Sequence, residues 1–159
     1  MQEIHSNLRA RLVLGPVSLS ADNSPANFNL KGFNAAMLLI AVGIGGITFT
    51  STNKIEFKLR HGDTTTVGEH AAVEDDDVVI LLPDGTMGTV SSGGIVRSLT
   101  AAHASPTVTK IGYVGNKQNI SLLADFGGTH TAGSPAAPSP TPIMAMLVEG
   151  KPHHAPVGV

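Results

Sequence analysis

Seven histidines and one acidic run, Glu74 to Asp77, are the residues of this 159-residue chain whose types could hold a metal or move a proton. His153 and His154 are adjacent, and neighbours on an extended chain point to opposite sides, so the pair does not chelate one ion. No HExxH-type spacing surrounds them either. His61, His70, His103 and His130 stand beside Gly, Glu, Ala or Thr in segments that read as loops, and His5 lies near the start. All are expected at the surface, with His61 near enough to Asp63 for a local hydrogen bond. The acidic run offers the carboxylates that Ca²⁺ prefers but lacks EF-hand spacing and its central glycine. It reads as a solvated loop; the alternative is a weak cation site at Asp75–Asp77.

Nucleophilic chemistry has less support. There is no G-x-S-x-G elbow, and Ser91-Ser92-Gly93-Gly94 reads as a flexible turn. Gly43-Ile44-Gly45-Gly46 lacks both the lysine and the following amphipathic helix of a phosphate-binding loop. Asn119-Ile120-Ser121 matches a glycosylation sequon, but the first 15 residues do not read as a secretory signal. The sequence therefore assigns no catalytic, cofactor-binding or metal residue, and the expectation is a protein that is not an enzyme and has no cofactor.

The elements that must position any site are strands. In "KIEFKLRHGD", Ile55, Phe57 and Leu59 fall on one side and Lys54, Glu56, Lys58 and Arg60 on the other, the pattern of a half-buried strand. "NAAMLLIAV" is a continuous apolar run after Asn34, which predicts a strand buried on both faces. "LRARLVLGPVSLSA" contains an alternating run, then Pro16, which marks a kink or a sheet edge, then a second short run. "VVILLPDGTMGTV" folds about Pro83-Asp84-Gly85, where Pro fixes φ and Gly supplies a positive one. "TTTVGEHAAVEDDD" reads as an exposed loop, and "GGIVRSLTAAHASP" as either a short strand or a helical turn. "IGYVGNKQNISLLADF" reads as a β-hairpin about Gly115-Asn116-Lys117, and "IMAMLVEG" as a final buried strand.

Between Lys31 and Lys54 lie 22 residues without a formal charge, long enough to span a bilayer as a helix. Gly43, Gly45 and Gly46 interrupt them, so two buried strands joined by a glycine turn fit better, and no membrane partner is expected. Short strands with regular turn signals predict an all-β fold: one single-domain β-sandwich or barrel, jelly-roll-like, over residues 1–148. A flexible Pro/Ala/Ser loop at 132–141 interrupts it, and an extended C-terminal arm follows at 149–159.

Charged residues make up 14% of the chain and the net charge is −2, which leaves no basic footprint for nucleic acid. Cysteine is absent, so neither disulfides nor thiolate metal sites are available. What remains is a surface built for fixed contacts. An arm over 149–159 reaches up to about 35 Å at 3.3–3.6 Å per residue. Pro152 and Pro156 lower the entropy lost when it docks. Composition weighs a docking arm and a plain disordered terminus equally.

"TKIGYVGNKQNISLL", then "PIMAMLVEG" and "KPHHAPV", resemble a group of small tailed-bacteriophage virion proteins that carry a "GYiGnkRY"-like hairpin and a "PrhaPv"-like tail. "NLKGFNAAMLLIAVG" and "TFTSTNKIEFKLRHGD" are similar to the same group. The resemblance implies a head decoration or cement protein, made in the bacterial host cytoplasm and placed on the capsid exterior. Its partners would be the major capsid protein and further copies of itself, as a dimer or trimer. It also implies that Lys151, Pro152, His153, His154, Ala155, Pro156 and Val157 contact a neighbour. The chain departs from the group's pattern at Gln118-Asn119, where Arg-Tyr is usual, and at His153, where Arg is usual. Alternatives are a head–tail connector or tail protein, and a carbohydrate- or metal-binding module.

Overall fold

The computed structural model describes residues 7–44, 49–101, 105–127 and 141–153. Among them are β1 (Leu8–Leu19), β2 (Phe28–Asn29), β3 (Phe33–Val42), β4 (Lys54–Gly62), β5 (Ala71–Ala72) and β6 (Val78–Leu81). Then follow β7 (Met87–Gly88), β8 (Ile95–Leu99), β9 (Thr107–Tyr113), β10 (Asn119–Gly127) and β11 (Thr141–Pro152). They form two antiparallel sheets packed as a sandwich. One runs β1-β11-β3-β9-β6-β7; the other runs β2-β10-β4-β5, with β8 also on β4. Among the described residues no helix is long and apolar enough to cross a membrane.

Alternation builds the core. Ile55, Phe57 and Leu59 of β4 are fully buried, and meet Leu38 and Ile40 of β3, Ile111 of β9 and Leu147 of β11 from the facing sheet. Each such side chain contributes about 1.5–3 kcal/mol on leaving water. β1 is an edge strand: Pro16 has no N–H for a further partner, and the register slips between Leu12 and Leu14 and again before Val17. Leu82–Thr86 closes the β6–β7 hairpin, with Gly85 at φ +83°. The ambiguous segment resolves as the strand β8.

Several expectations are corrected. β3 is buried on one face only: Leu38, Ile40 and Val42 point into the core, while Met37, Leu39 and Ala41 stay partly exposed. Among the described residues 49–53 there is no second strand. Thr50 to Asn53 instead form a turn in which Thr50 Oγ1 accepts the N–H groups of Thr52 and Asn53. The segment read as a β-hairpin is a corner between sheets, because β9 pairs with β3 and β6 whereas β10 pairs with β4 and β2. Same-face apolar residues look alike in a hairpin and in a corner, since both sets face one core.

The loop read at 64–77 is partly interior. It holds a 3-10 turn at Val67–Glu69, β5, and a buried Val73 and His70. The acidic run is a 3-10 turn closed by a capping box between Glu74 and Asp77. β11 continues through Glu149 and Gly150 to Pro152, so four residues drawn into the arm belong to the sheet. Thr141, drawn into the flexible loop, is its buried first residue; 132–140 lie outside the described residues.

Candidate functional site

β11 delivers the arm at one end of the six-stranded sheet, and three local devices fix its exit. Lys151 adopts φ +51°, a left-handed conformation unfavourable for a side chain by about 1–2 kcal/mol, one residue before β11 ends with Pro152 opposite Phe33. The His153 N–H then donates to the Gly32 carbonyl at 2.8 Å. Its ring Nε2 lies 2.9 Å from Asn34 Oδ1, to which it donates. Of the arm residues named from the sequence, Lys151 and His153 are exposed and Pro152 is half-buried. His154, Ala155, Pro156 and Val157 lie outside the described residues.

The opposite wall of this exit is the inter-sheet corner. A cleft of about 360 Å³ is lined by the turn at Leu30–Ala36, the corner at Tyr113–Gln118, and His153. The Lys117 N–H donates to Tyr113 Oη at 3.0 Å, and the Tyr113 hydroxyl faces the Lys117 carbonyl at 3.2 Å. The N–H groups of Val114 and Gly115 both donate to the Asp77 carbonyl. A Cβ on Gly115 would sit 2.8 Å from Tyr113 Oη and from Asp77 Oδ1, so any side chain there would displace them. Lys117 Nζ meets Asp63 at 2.6 Å, the acid expected near His61.

His61 and His70, expected at the surface, are instead buried within the polar layer behind the corner. His61 continues the inward positions of β4, and its Nδ1 lies 3.0 Å from Tyr113 Oη, ring edge to ring face. His70 Nε2 donates to the Thr64 carbonyl at 3.0 Å, which leaves Nδ1 to accept the Ser121 hydroxyl at 2.9 Å. Burial raises the Tyr113 phenol above its ordinary value by disfavouring the phenolate. Among the described residues no group of three His, Asp or Glu side chains is placed to hold a metal ion. Asp75 Oδ1 and Asp77 Oδ2 accept the N–H groups of Val90 and Glu74.

Sequence reasoning missed two features of this end of the sheet. Glu149 is fully buried and receives four charge-assisted hydrogen bonds, two from Arg9 and two from Arg11, at 2.7–2.9 Å. The guanidinium of Arg9 stands 4.4 Å over the Phe33 ring and that of Arg11 stands 5.3 Å over Phe28, so ring faces share the cluster's excess positive charge. The bond to Glu149 raises the already high Arg9 pKa further. The parity of Ile143, Ala145, Leu147 and Glu149 was the available signal, since it points the acid inward.

The second is the outer face of the six-stranded sheet. Met146 lies between Leu12 and Leu39, and Val148 between Ala10 and Met37, in rows that cross β1, β11 and β3. β9 and β6 extend it with Val108, Gly112, Val79 and Leu81. Leu12 is 56% exposed, Val79 49% and Val108 46%. No protein-family model, curated protein or solved structure matches the chain.

Proposed function

We infer that the chain is a non-enzymatic virion structural protein: a decoration or cement protein that binds the outside of a tailed-phage head and ties neighbouring capsid subunits together. The observation that carries this reading is a convergence. The two motifs most specific to the resemblance, "GYVGNK" and "KPHHAPV", lie more than 30 positions apart, yet the corner built by the first and the arm exit built by the second line one cleft. An arm that leaves a rigid sheet through a pinned exit is suited to reaching a neighbouring subunit. Bridges repeated across a lattice add up even when each is weak.

The test is add-back. Purified protein mixed with heads assembled without it should bind them and raise the temperature at which they release DNA. Failure to bind overturns the reading. Truncation after His153 should weaken binding, and unchanged affinity would remove the arm from the mechanism.

A further inference from the structure

We propose that the outer face of the six-stranded sheet is an interface between two copies of this chain, which pack face to face about a two-fold axis. This goes beyond the capsid reading and does not depend on it. The face offers almost nothing to water. Across the outward positions of β1, β11, β3, β9 and β6 the sole charged side chain is Lys110, and no carboxylate is present. Five strands at 4.8 Å and three rows of outward residues give a footprint of about 500 Å² before side-chain relief is counted.

That footprint is near the upper end of what a soluble monomer leaves open, about 300–600 Å². With relief and a polar rim it approaches the roughly 800 Å² per partner of a standard interface. The occupant must be flat, twisted like a sheet and equally apolar, and this face meets all three conditions for itself. Sheets stack about 10 Å apart at about 30°, the geometry of the sandwich's own core repeated once outside it. Three methionines, Met37, Met144 and Met146, stand on the neighbouring strands β3 and β11. Their unbranched chains adapt to a facing copy without exact complementarity. Lys110, on β9 beside that centre, can lay its stem along the apolar surface and keep its ammonium in water.

One end of the face is a groove of about 430 Å³, lined by Val17, Ala41, Val108 and Met144 among others.

Sedimentation equilibrium of the free full-length chain tests the proposal. Wild type should sediment at twice the chain mass of 16.3 kDa in the micromolar range. Leu39→Lys, at the centre, should weaken pairing about 100-fold, and Leu12→Lys about tenfold. Leu12 is already 56% exposed in the single chain, so its variant keeps the test valid if Leu39→Lys fails to fold. Lys54→Glu, on the opposite face, should leave the dimer intact. A wild-type monomer at these concentrations, or variants that pair unchanged, would overturn the proposal. A monomer that still binds capsids would do so while leaving the decoration reading in place.

Discussion

The two sheets treat their outer faces in opposite ways. Both alternate apolar residues inward, and both inner faces meet in one core. On the outside of the five-stranded sheet, β4 presents Lys54, Glu56, Lys58 and Arg60, with Asp125 of β10 across from Glu56. Lys54 pairs with Glu56, and Lys58 with Asp125. On the six-stranded sheet the equivalent positions carry Met, Leu, Val and Ala, and the main charge cluster, Glu149 with Arg9 and Arg11, is turned inward. A charged face is stable in water by itself. An apolar one gains free energy by being covered, so the inner alternation builds the fold and the outer one marks where further burial would be favourable.

The largest effect should come from the inward charge. Glu149→Ala leaves two arginines, their side chains 36% and 28% exposed, facing a vacated site. Because water still reaches them, the cost should fall at the low end of the range for a buried ionic cluster, about 3 kcal/mol. Denaturant midpoints would show it, and replacing Glu149, Arg9 and Arg11 together by apolar residues should recover most of the loss. A cost below about 1 kcal/mol, the range of an exposed pair, would erase the contrast between the sheets.

The edges differ as well. β10 would be an open edge beyond the two residues of β2, but the preceding loop closes it with side chains. Asn23 donates to the Leu122 carbonyl at 3.2 Å and accepts the Ala124 N–H at 2.7 Å, while Asp22 accepts the Phe126 N–H. One asparagine thus substitutes for a strand backbone. Asn23→Ala should cost about 1–2 kcal/mol from two lost bonds. It should also promote aggregation that rises with concentration, measurable by light scattering, because an unpaired edge recruits other strands. An unchanged scattering profile would mean that β2 alone protects this edge.

How much of this was legible follows from what periodicity encodes. β4 was readable residue by residue, since its charges and its apolar residues sit on opposite sides. β3 was readable as a strand, but not in its surroundings: apolar residues at both parities signal burial by something, and the pattern does not say whether that is the same chain. His61 was legible from the parity of Ile55, Phe57 and Leu59, and was misplaced because its neighbours look like loop. Glu149 could be placed inward, but its arginines lie about 140 positions away and no local pattern links them. The arm exit depends on Gly32, Asn34 and the Tyr113 corner, contacts that only the topology brings together.

Tyr113 tests whether the corner holds the exit cleft rigid. Tyr113→Phe loses the hydroxyl that serves Lys117 and His61, and should cost about 1 kcal/mol at neutral pH. Its pH dependence has a definite sign. Burial raises the folded-state value above the ordinary 10 or so, so below that pH both states keep the proton and nothing is lost. Above it the unfolded chain ionises first, and stability falls until the folded-state value is passed. This is the chain's one tyrosine, so phenolate absorbance reports it alone. A midpoint at or below the ordinary value would show that the corner is open to water.

The smallest effect should fall on the charged face, and that is what makes it informative. Lys58 meets Asp125 and stands 3.9 Å from Glu56, with its side chain 22% exposed. Half-open pairs of this kind contribute about 0.2–1 kcal/mol and weaken as salt screens them. Lys58→Ala should therefore shift the thermal midpoint slightly at low ionic strength and less at high. The same two salt conditions applied to Glu149→Ala should give nearly equal losses, because salt does not reach a fully buried carboxylate. If Lys58→Ala instead proved costly and salt-independent, the charged face would be covered in solution as well, and self-association would have to be sought on both sides of the sandwich.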